Sequence, residues 1–468
     1  MTSNDRFDLH MSDSDALMWN IEKDPLLRST IVTLLLLDRA PDWAALVKRV
    51  DAGTKAIARM RQRVATPMLR VGPPMWSADP HFDLAFHMTR VRSSDGTIES
   101  VLDIARNSAM AGFDRARPLW QYTVVEGLDD DRAAMILKVH HSLTDGVGGM
   151  KLLMMLFDLE RDGQSGSGGE AAPELASFGA LDLITHSIKH QRRRAVGIVR
   201  RSLSSAGNIT RAVLSSPRGT AVEAGRAIGS VARFLEPATN PKSPLMASRS
   251  LARSLGTLEV PLDELKLAAK AAGGSLNDAY VAAVLGGLMK YHQFHGESPE
   301  SLRMVMPISI RDEGAGLGGN HFTPARFLVP MAIDDPTMRI AEVGRLSRWI
   351  RDEPAIALTD ALAGVLNQLP TTLSTAIFGA MLKGADFVTS NVPGAPIPLY
   401  AAGAELERMY AFGPLSGAAA NLTLLSHCGT ACIGVNVDAV AIPDIETFLK
   451  AQRESFAEVL ALGKAPHN

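Results

Sequence analysis

Two adjacent histidines, His140 and His141, followed by Asp145 and Gly146 in the pattern His-His-x-x-x-Asp-Gly, are the residues of this chain best suited to chemistry. They close a mainly apolar run, Met135 to Val139, that reads as a short buried strand. Neighbouring side chains of an extended chain point to opposite faces, so only one histidine can easily face a given cleft. A neutral imidazole has a pKa near working pH. Delivered at a strand end, it suits a general base that takes a proton from a hydroxyl or thiol attacking a carbonyl. Asp145, beyond a turn, could fix the ring's tautomer or brace the loop. The competing use is structural, because buried, hydrogen-bonded histidines are commoner than catalytic ones. No Gly-x-Ser-x-Gly elbow occurs, and Cys428 directly follows His427, where strand alternation makes the two a poor nucleophile-base pair. Direct transfer is therefore simpler than a covalent acyl-enzyme. His186 and His190 share a helical face, but with no third ligand near them no metal site is expected.

The elements that must carry these residues alternate between strand and helix patterns. Asp13 to Asp15 ahead of Ala16 to Trp19 reads as a capped helix start with an acidic first turn. Ile31 to Leu37 is a buried strand, Trp43 to Ala58 a helix, Phe82 to Val91 a strand and Ile98 to Ala111 a helix. Gln121 to Glu126 and Ala133 to Val139, joined by turn residues, form a hairpin that ends at the histidines. Gly148 to Leu159 is a helix leaving them. Asp162 to Gly169 has a linker composition. Ala180 to Ser202 is an amphipathic helix rich in Arg and Lys, which could lie in an anionic membrane interface or pack, solvated, across two domains. Further on, Leu255 to Val260, Met304 to Ser309, Phe327 to Met331, Phe387 to Ser390, Glu407 to Tyr410, Leu422 to Ser426 and Cys432 to Val437 read as strands. Helices are expected at Leu262 to Ala272, Asn277 to His292, Leu346 to Ala361 (kinked at Pro354), Leu373 to Leu382 and Ile445 to Leu462. Asn277 sits where a helix N-cap would, and Cys428 and Cys432 read as buried small hydrophobes.

The chain has 468 residues, which suits two α/β domains of roughly 200 residues each. The division expected is 1–160, a linker and helical insert at 161–250, and 251–468. A net charge of -2 gives no field that would recruit nucleic acid. Two cysteines suit a reducing compartment, and residues 1–11 have no apolar leader pattern, so a cytosolic protein is expected. Any membrane contact would be peripheral, because the longest aliphatic run near the start, Ile31 to Leu37, is far short of the ~20 residues a spanning helix needs.

The motif His140 to Gly146 resembles that of CoA-dependent acyltransferases and of peptide-synthetase condensation domains. More narrowly, nearly the whole chain resembles the bacterial wax ester synthase/acyl-CoA:diacylglycerol acyltransferase family. The resemblance rests on ordered motifs: Ser12 to Trp19, Pro118-Leu119-Trp120, Ser275 to Asp278, Met306 to Arg311 with Gly319-Asn320, Ser390 to Gly394, and Gly413-Pro414-Leu415 with Asn421. It departs at Met18, an extra residue before the aromatic, and at Ala279, where a branched residue is usual. The insert at 161–250 carries no such motif. The resemblance implies two chloramphenicol-acetyltransferase-like domains with mixed sheets and a substrate tunnel between them. It assigns the base to His141, a supporting place to His140, and a structural brace to Asp145. Asn277, Asp278, Ser309, Arg311, Asn391 and Gly146 fall on motif positions expected to support the tunnel, and Arg311 would either hold Asp145 or meet CoA phosphate. The function implied is acyl transfer from acyl-CoA to diacylglycerol, with no cofactor and no metal. The alternatives are a long-chain alcohol as acceptor, a carrier-protein-dependent condensation domain, and a catalytically weak lipid-binding relative. Contact with a membrane or lipid-droplet surface and the oligomeric state stay open.

Overall fold

A computed structural model describes residues 9–67, 72–143, 149–150, 153, 157–163, 176–179, 182–192, 240–309, 322–351, 363–364, 366–367 and 369–464. In chain order the strands are β1 (Thr30–Leu37), β2 (Gln62–Ala65), β3 (Met75–Ala78), β4 (Met88–Arg92), β5 (Trp120–Glu126), β6 (Ala133–His140) and β7 (Arg253–Pro261). They continue with β8 (Ser301–Ser309), β9 (Phe322–Pro330), β10 (Phe387–Val392), β11 (Tyr400–Ala401), β12 (Ala404–Phe412), β13 (Ala420–His427) and β14 (Thr430–Asp438). They build two six-stranded mixed sheets, β11-β12-β1-β6-β5-β4 and β7-β14-β13-β10-β8-β9, beside a β2-β3 ribbon. The expected hairpin is present: β5 and β6 pair antiparallel, with Trp120 opposite Val139 and Tyr122 opposite Leu137. β6 and β14 are buried at nearly every position, as strands covered on both faces must be.

One pairing was not foreseen. β11 and β12 come from the second half of the chain yet hydrogen-bond into the first sheet, with β12 antiparallel to β1 from Val32↔Phe412 to Leu37↔Leu406. The division at about residue 250 therefore cuts the chain but not the sheets. The first core accordingly mixes Leu35, Trp120 and Met135 with Leu399, Met409 and Leu425, while the second gathers around the Leu276–Phe294 and Ile445–Ala461 helices.

Several local expectations change. The Phe82 to Val91 strand begins only at Met88, because the Asp83 carboxylate caps a short Leu84–His87 helix by accepting the Ala85 N–H at 3.0 Å. The helix expected from Leu346 starts at Pro336 and reaches Arg351, with Arg339 buried inside it. Cys432 is buried, but Cys428 is exposed, in a turn at φ 42. Residues 182–192 are helical. Residues 180–181 and 193–239, the Gly/Ser stretch 164–169 and Pro354 lie outside the described residues. Among those described, no helix is long and apolar enough to cross a membrane.

Candidate active site

β6 ends at His140, and a single turn, His141–Leu143, follows. The two histidines part company there. His140 is fully buried beside Trp19 and Phe113, both edge-on to its ring. Its Nδ1 accepts the Ser142 N–H at 3.1 Å and lies 2.7 Å from the Ser142 hydroxyl, which assigns the ring proton to Nε2. Nε2 lies 2.9 Å from Glu22 Oε1, which makes the carboxylate the polar partner of the buried ring. Burial pushes the Glu22 carboxyl up, yet His140, the Ser29 N–H and Arg115 outweigh it and hold the group below its ordinary value. The Ser29 N–H donates to Glu22 at 2.6 Å, and the Ser29 carbonyl accepts the His141 N–H at 2.8 Å. Glu22 thus clamps both the buried ring and the strand end that fixes the backbone of His141.

His141 lines a cavity of about 290 Å³ between the two sheets. The first sheet forms its floor in rows of facing side chains set by the pairing. Ile31, Val139 and Trp120 make one row, and Thr33, Leu137 and Tyr122 the next. The second sheet supplies Val305, Val388, Ser390, Asn391, Asn421 and Thr423. No carboxylate lines the cavity among the described residues, and Arg59 is the one lining side chain there with a permanent charge. Arg59 lies over the Trp76 ring at 4.2 Å. Trp120 is locked in place: its indole N–H donates to the Met60 carbonyl at 2.7 Å, and its ring stacks on His87 at 4.4 Å. The chemistry available is acid-base work by one imidazole in an apolar chamber, with polar side chains on the facing wall.

The residues expected from sequence fall into three groups. His141 and Asn391 face the same cavity. Asn277 does not cap its helix. Ser275 does, in a reciprocal box in which Asp278 accepts the Ser275 N–H at 2.8 Å. That frees the Asn277 carbonyl oxygen to meet the Asn391 amide at 3.5 Å, while Asp278 is buried at the cap and does not line the cavity. Ser309 is the last residue of β8, and Asp145, Gly146 and Arg311 lie outside the described residues. Among the described residues no His, Cys, Asp and Glu group is placed to hold a metal ion. Sequence reading missed Glu22, whose partners Ser29, Arg115 and His140 lie seven, 93 and 118 residues away. It also missed why Gly413 and Asn421 belong together: a Cβ on Gly413 would lie 2.7 Å from the Asn421 amide nitrogen, which donates to the Pro414 carbonyl at 2.8 Å.

Comparison with known proteins shows the family. Residues 11–280 match the model of the wax ester synthase/diacylglycerol acyltransferase catalytic domain, and residues 318–459 match that of the family's C-terminal domain. The chain belongs to the wax ester synthase/diacylglycerol acyltransferase family. As a member, it is an acyl-CoA-dependent O-acyltransferase. A Mycobacterium tuberculosis protein of the family, named as a putative diacylglycerol O-acyltransferase, is 38% identical over 454 residues, covering 97% of this chain and 92% of the relative. A second protein of that organism with the same name is 29% identical, with 89% and 81% covered. In fold, the chain matches the wax ester synthase/diacylglycerol acyltransferase of Marinobacter aquaeolei VT8, with a TM-score of 0.62, 20% identity and coverage of 97% and 100%. It also matches the first condensation domain of the calcium-dependent antibiotic synthetase, with a TM-score of 0.59, 16% identity and coverage of 99% and 98%. The family fold is thus two chloramphenicol-acetyltransferase-like units, here sharing a strand pair across the division.

Proposed function

We propose that this acyltransferase moves a long-chain acyl group from acyl-CoA to diacylglycerol, with His141 as the general base. The observation that carries the reading is the position of His141, at the end of β6 and in the wall of an apolar chamber between two sheets. His141 takes the proton of the acceptor hydroxyl as its oxygen attacks the thioester carbonyl. The tetrahedral adduct then collapses, the carbon–sulfur bond breaks, and the imidazolium returns the proton to the departing CoA thiolate. Atoms balance as triacylglycerol and free CoA. The water-poor wall favours transfer over thioester hydrolysis, because apolar side chains exclude the competing nucleophile. Asn391 and Asn277 couple the second half of the chain to the chamber. The acceptor follows the names of the Mycobacterium tuberculosis relatives. Labelled palmitoyl-CoA offered with diacylglycerol and with hexadecanol, the neutral lipids then being separated, tests it. Labelled triacylglycerol is the expected product. Wax ester alone would replace the acceptor, and neither product from either alcohol would overturn the reading.

A further inference from the structure

A second, smaller cleft adjoins the reaction cavity. The first half of the chain lines it with Arg28, Thr30 and Met110, the last residue of the Ile98–Met110 helix. The second half adds Pro414 and Arg253, the first residue of β7. Its volume is about 20 Å³ against about 290 Å³ for the cavity at His141, so it has room for one small group and not for a chain. Pro414 lines both spaces. Ser29 lines the cavity and Thr30, the next residue, lines the cleft, as alternation along an extended chain requires. The Ser29 carbonyl also accepts the His141 N–H, so the cleft begins one residue from the contact that fixes the base.

Two guanidinium groups line the cleft, and no carboxylate does among the described residues. Arg28 enters no ion pair there. Its Nη1 donates to the Met110 carbonyl at 2.5 Å, at the negative end of the helix dipole. That uses one of the five N–H donors of the fork. The side-chain contacts of Arg253 all fall on Nη1: the Ser250 and Ala252 carbonyls at 2.8 and 3.1 Å, and Asp438 at 3.6 Å. The other nitrogens of both side chains carry no hydrogen bond among the described residues and are not sealed in the interior. Lys138 adds a third cation nearby, donating to the Gly112 carbonyl at 3.3 Å. Burial and the Arg28 charge lower its ionisation to about 8, with Glu22 acting the other way. Burial also lowers the ionisation of Arg253, which Asp438 raises and Arg28 lowers. Arg28 therefore repels both neighbours, a cost that a bound anion would remove.

A planar fork of N–H donors matches the oxygens of a phosphoryl group. Acyl-CoA, the donor this family uses, carries phosphoryl groups at one end and its thioester at the other. We infer that the cleft between Arg28 and Arg253 binds a phosphoryl group of acyl-CoA and marks the mouth by which the donor enters. The pantetheine arm then passes Pro414 and brings the thioester into the cavity of His141. Arg28 and Arg253 come from opposite halves of the chain, so the donor is held by both. The inference rests on the acyl-CoA dependence of the enzyme and not on the role of His141, and its test reads binding without turnover.

Isothermal titration of the purified full-length chain compares CoA with pantetheine, which has the same thiol arm and no phosphate. The wild type should bind CoA about tenfold tighter, the size of one charge-assisted hydrogen bond. Arg28→Gln should weaken CoA about tenfold and leave pantetheine unchanged. Arg28→Lys, which keeps a charge without the fork, should fall between the two. Equal binding of CoA and pantetheine by the wild type would overturn the proposal. So would an equal loss of both ligands in Arg28→Gln, which would assign the arginine to the fold. Should Arg28→Gln not fold, undiminished CoA binding by Arg28→Lys would overturn it. Loss of binding to phosphatidylglycerol vesicles in Arg28→Gln, with CoA binding intact, would give the cleft to a lipid headgroup and overturn it too. Turnover of palmitoyl-CoA by His141→Ala, measured separately, reports on the catalytic reading, so the two can fail independently.

Discussion

At the scale of single residues, the two histidines show how much a dipeptide can divide between fold and chemistry. His140 is spent on the interior, and His141 is left for the cavity because strand alternation turns it the other way. Glu22 binds the two roles together, and its charge state sets a pH limit. A carboxyl held below its ordinary value favours the folded state once ionised. The unfolded chain binds more protons as pH drops through the window below about 4.3, so stability is fully present above it and lost beneath it. Glu22→Gln should therefore cost about 2 kcal/mol at neutral pH, by weakening bonds to a charged acceptor. The gap to the wild type should close in denaturant titrations run at decreasing pH. A gap independent of pH would remove Glu22 from this role. His140→Ala should cost about 3 kcal/mol, since it leaves the Glu22 carboxylate without its buried partner.

At the scale of elements, many strands were legible within a residue or two, whereas those read as Met304 to Ser309, Phe327 to Met331 and Glu407 to Tyr410 begin three to five residues earlier. Ile31 to Leu37 became Thr30–Leu37, and the hairpin into the histidines stood as expected. Misreadings arose where a local polar contact outranked the pattern. Asp83 caps a helical turn inside an apparent strand, and Ser275, two residues ahead of Asn277, holds the cap assigned to the asparagine. The Pro336–Arg351 helix hid its first turns because they carry Arg339, a buried cation donating to the Ala282 carbonyl at 2.9 Å. Packing between sheets left no periodic mark either. Gly434 in β14 runs so close to β12 that a Cβ would lie 2.1 Å from the Ala411 carbonyl oxygen. Gly434→Ala should force the sheets apart and cost about 2 kcal/mol, with a lower melting temperature. Wild-type stability in that variant would show that the contact yields freely.

At the scale of the whole molecule, two of the cavity's polar lining residues were legible in the sequence and its walls less so. His141 and Asn391 could be named from motifs, whereas the chamber depends on which strands face each other, and strand order is not written in local sequence. The clearest example is β12, which leaves the second half of the chain to cover the edge of β1. A fragment of residues 1–250 would expose that edge, and it should aggregate when expressed without the remainder. Recovery of a soluble, cooperatively melting fragment would contradict the shared-sheet account. The central claim is that His141 is the base, and single-turnover release of CoA from palmitoyl-CoA in the presence of diacylglycerol tests it most directly. With purified His141→Ala, checked for native circular dichroism and melting, the rate should fall by about 10²–10⁴-fold, the usual worth of a positioned general base. A folded His141→Ala that still releases CoA and forms triacylglycerol at a near-normal rate would contradict it.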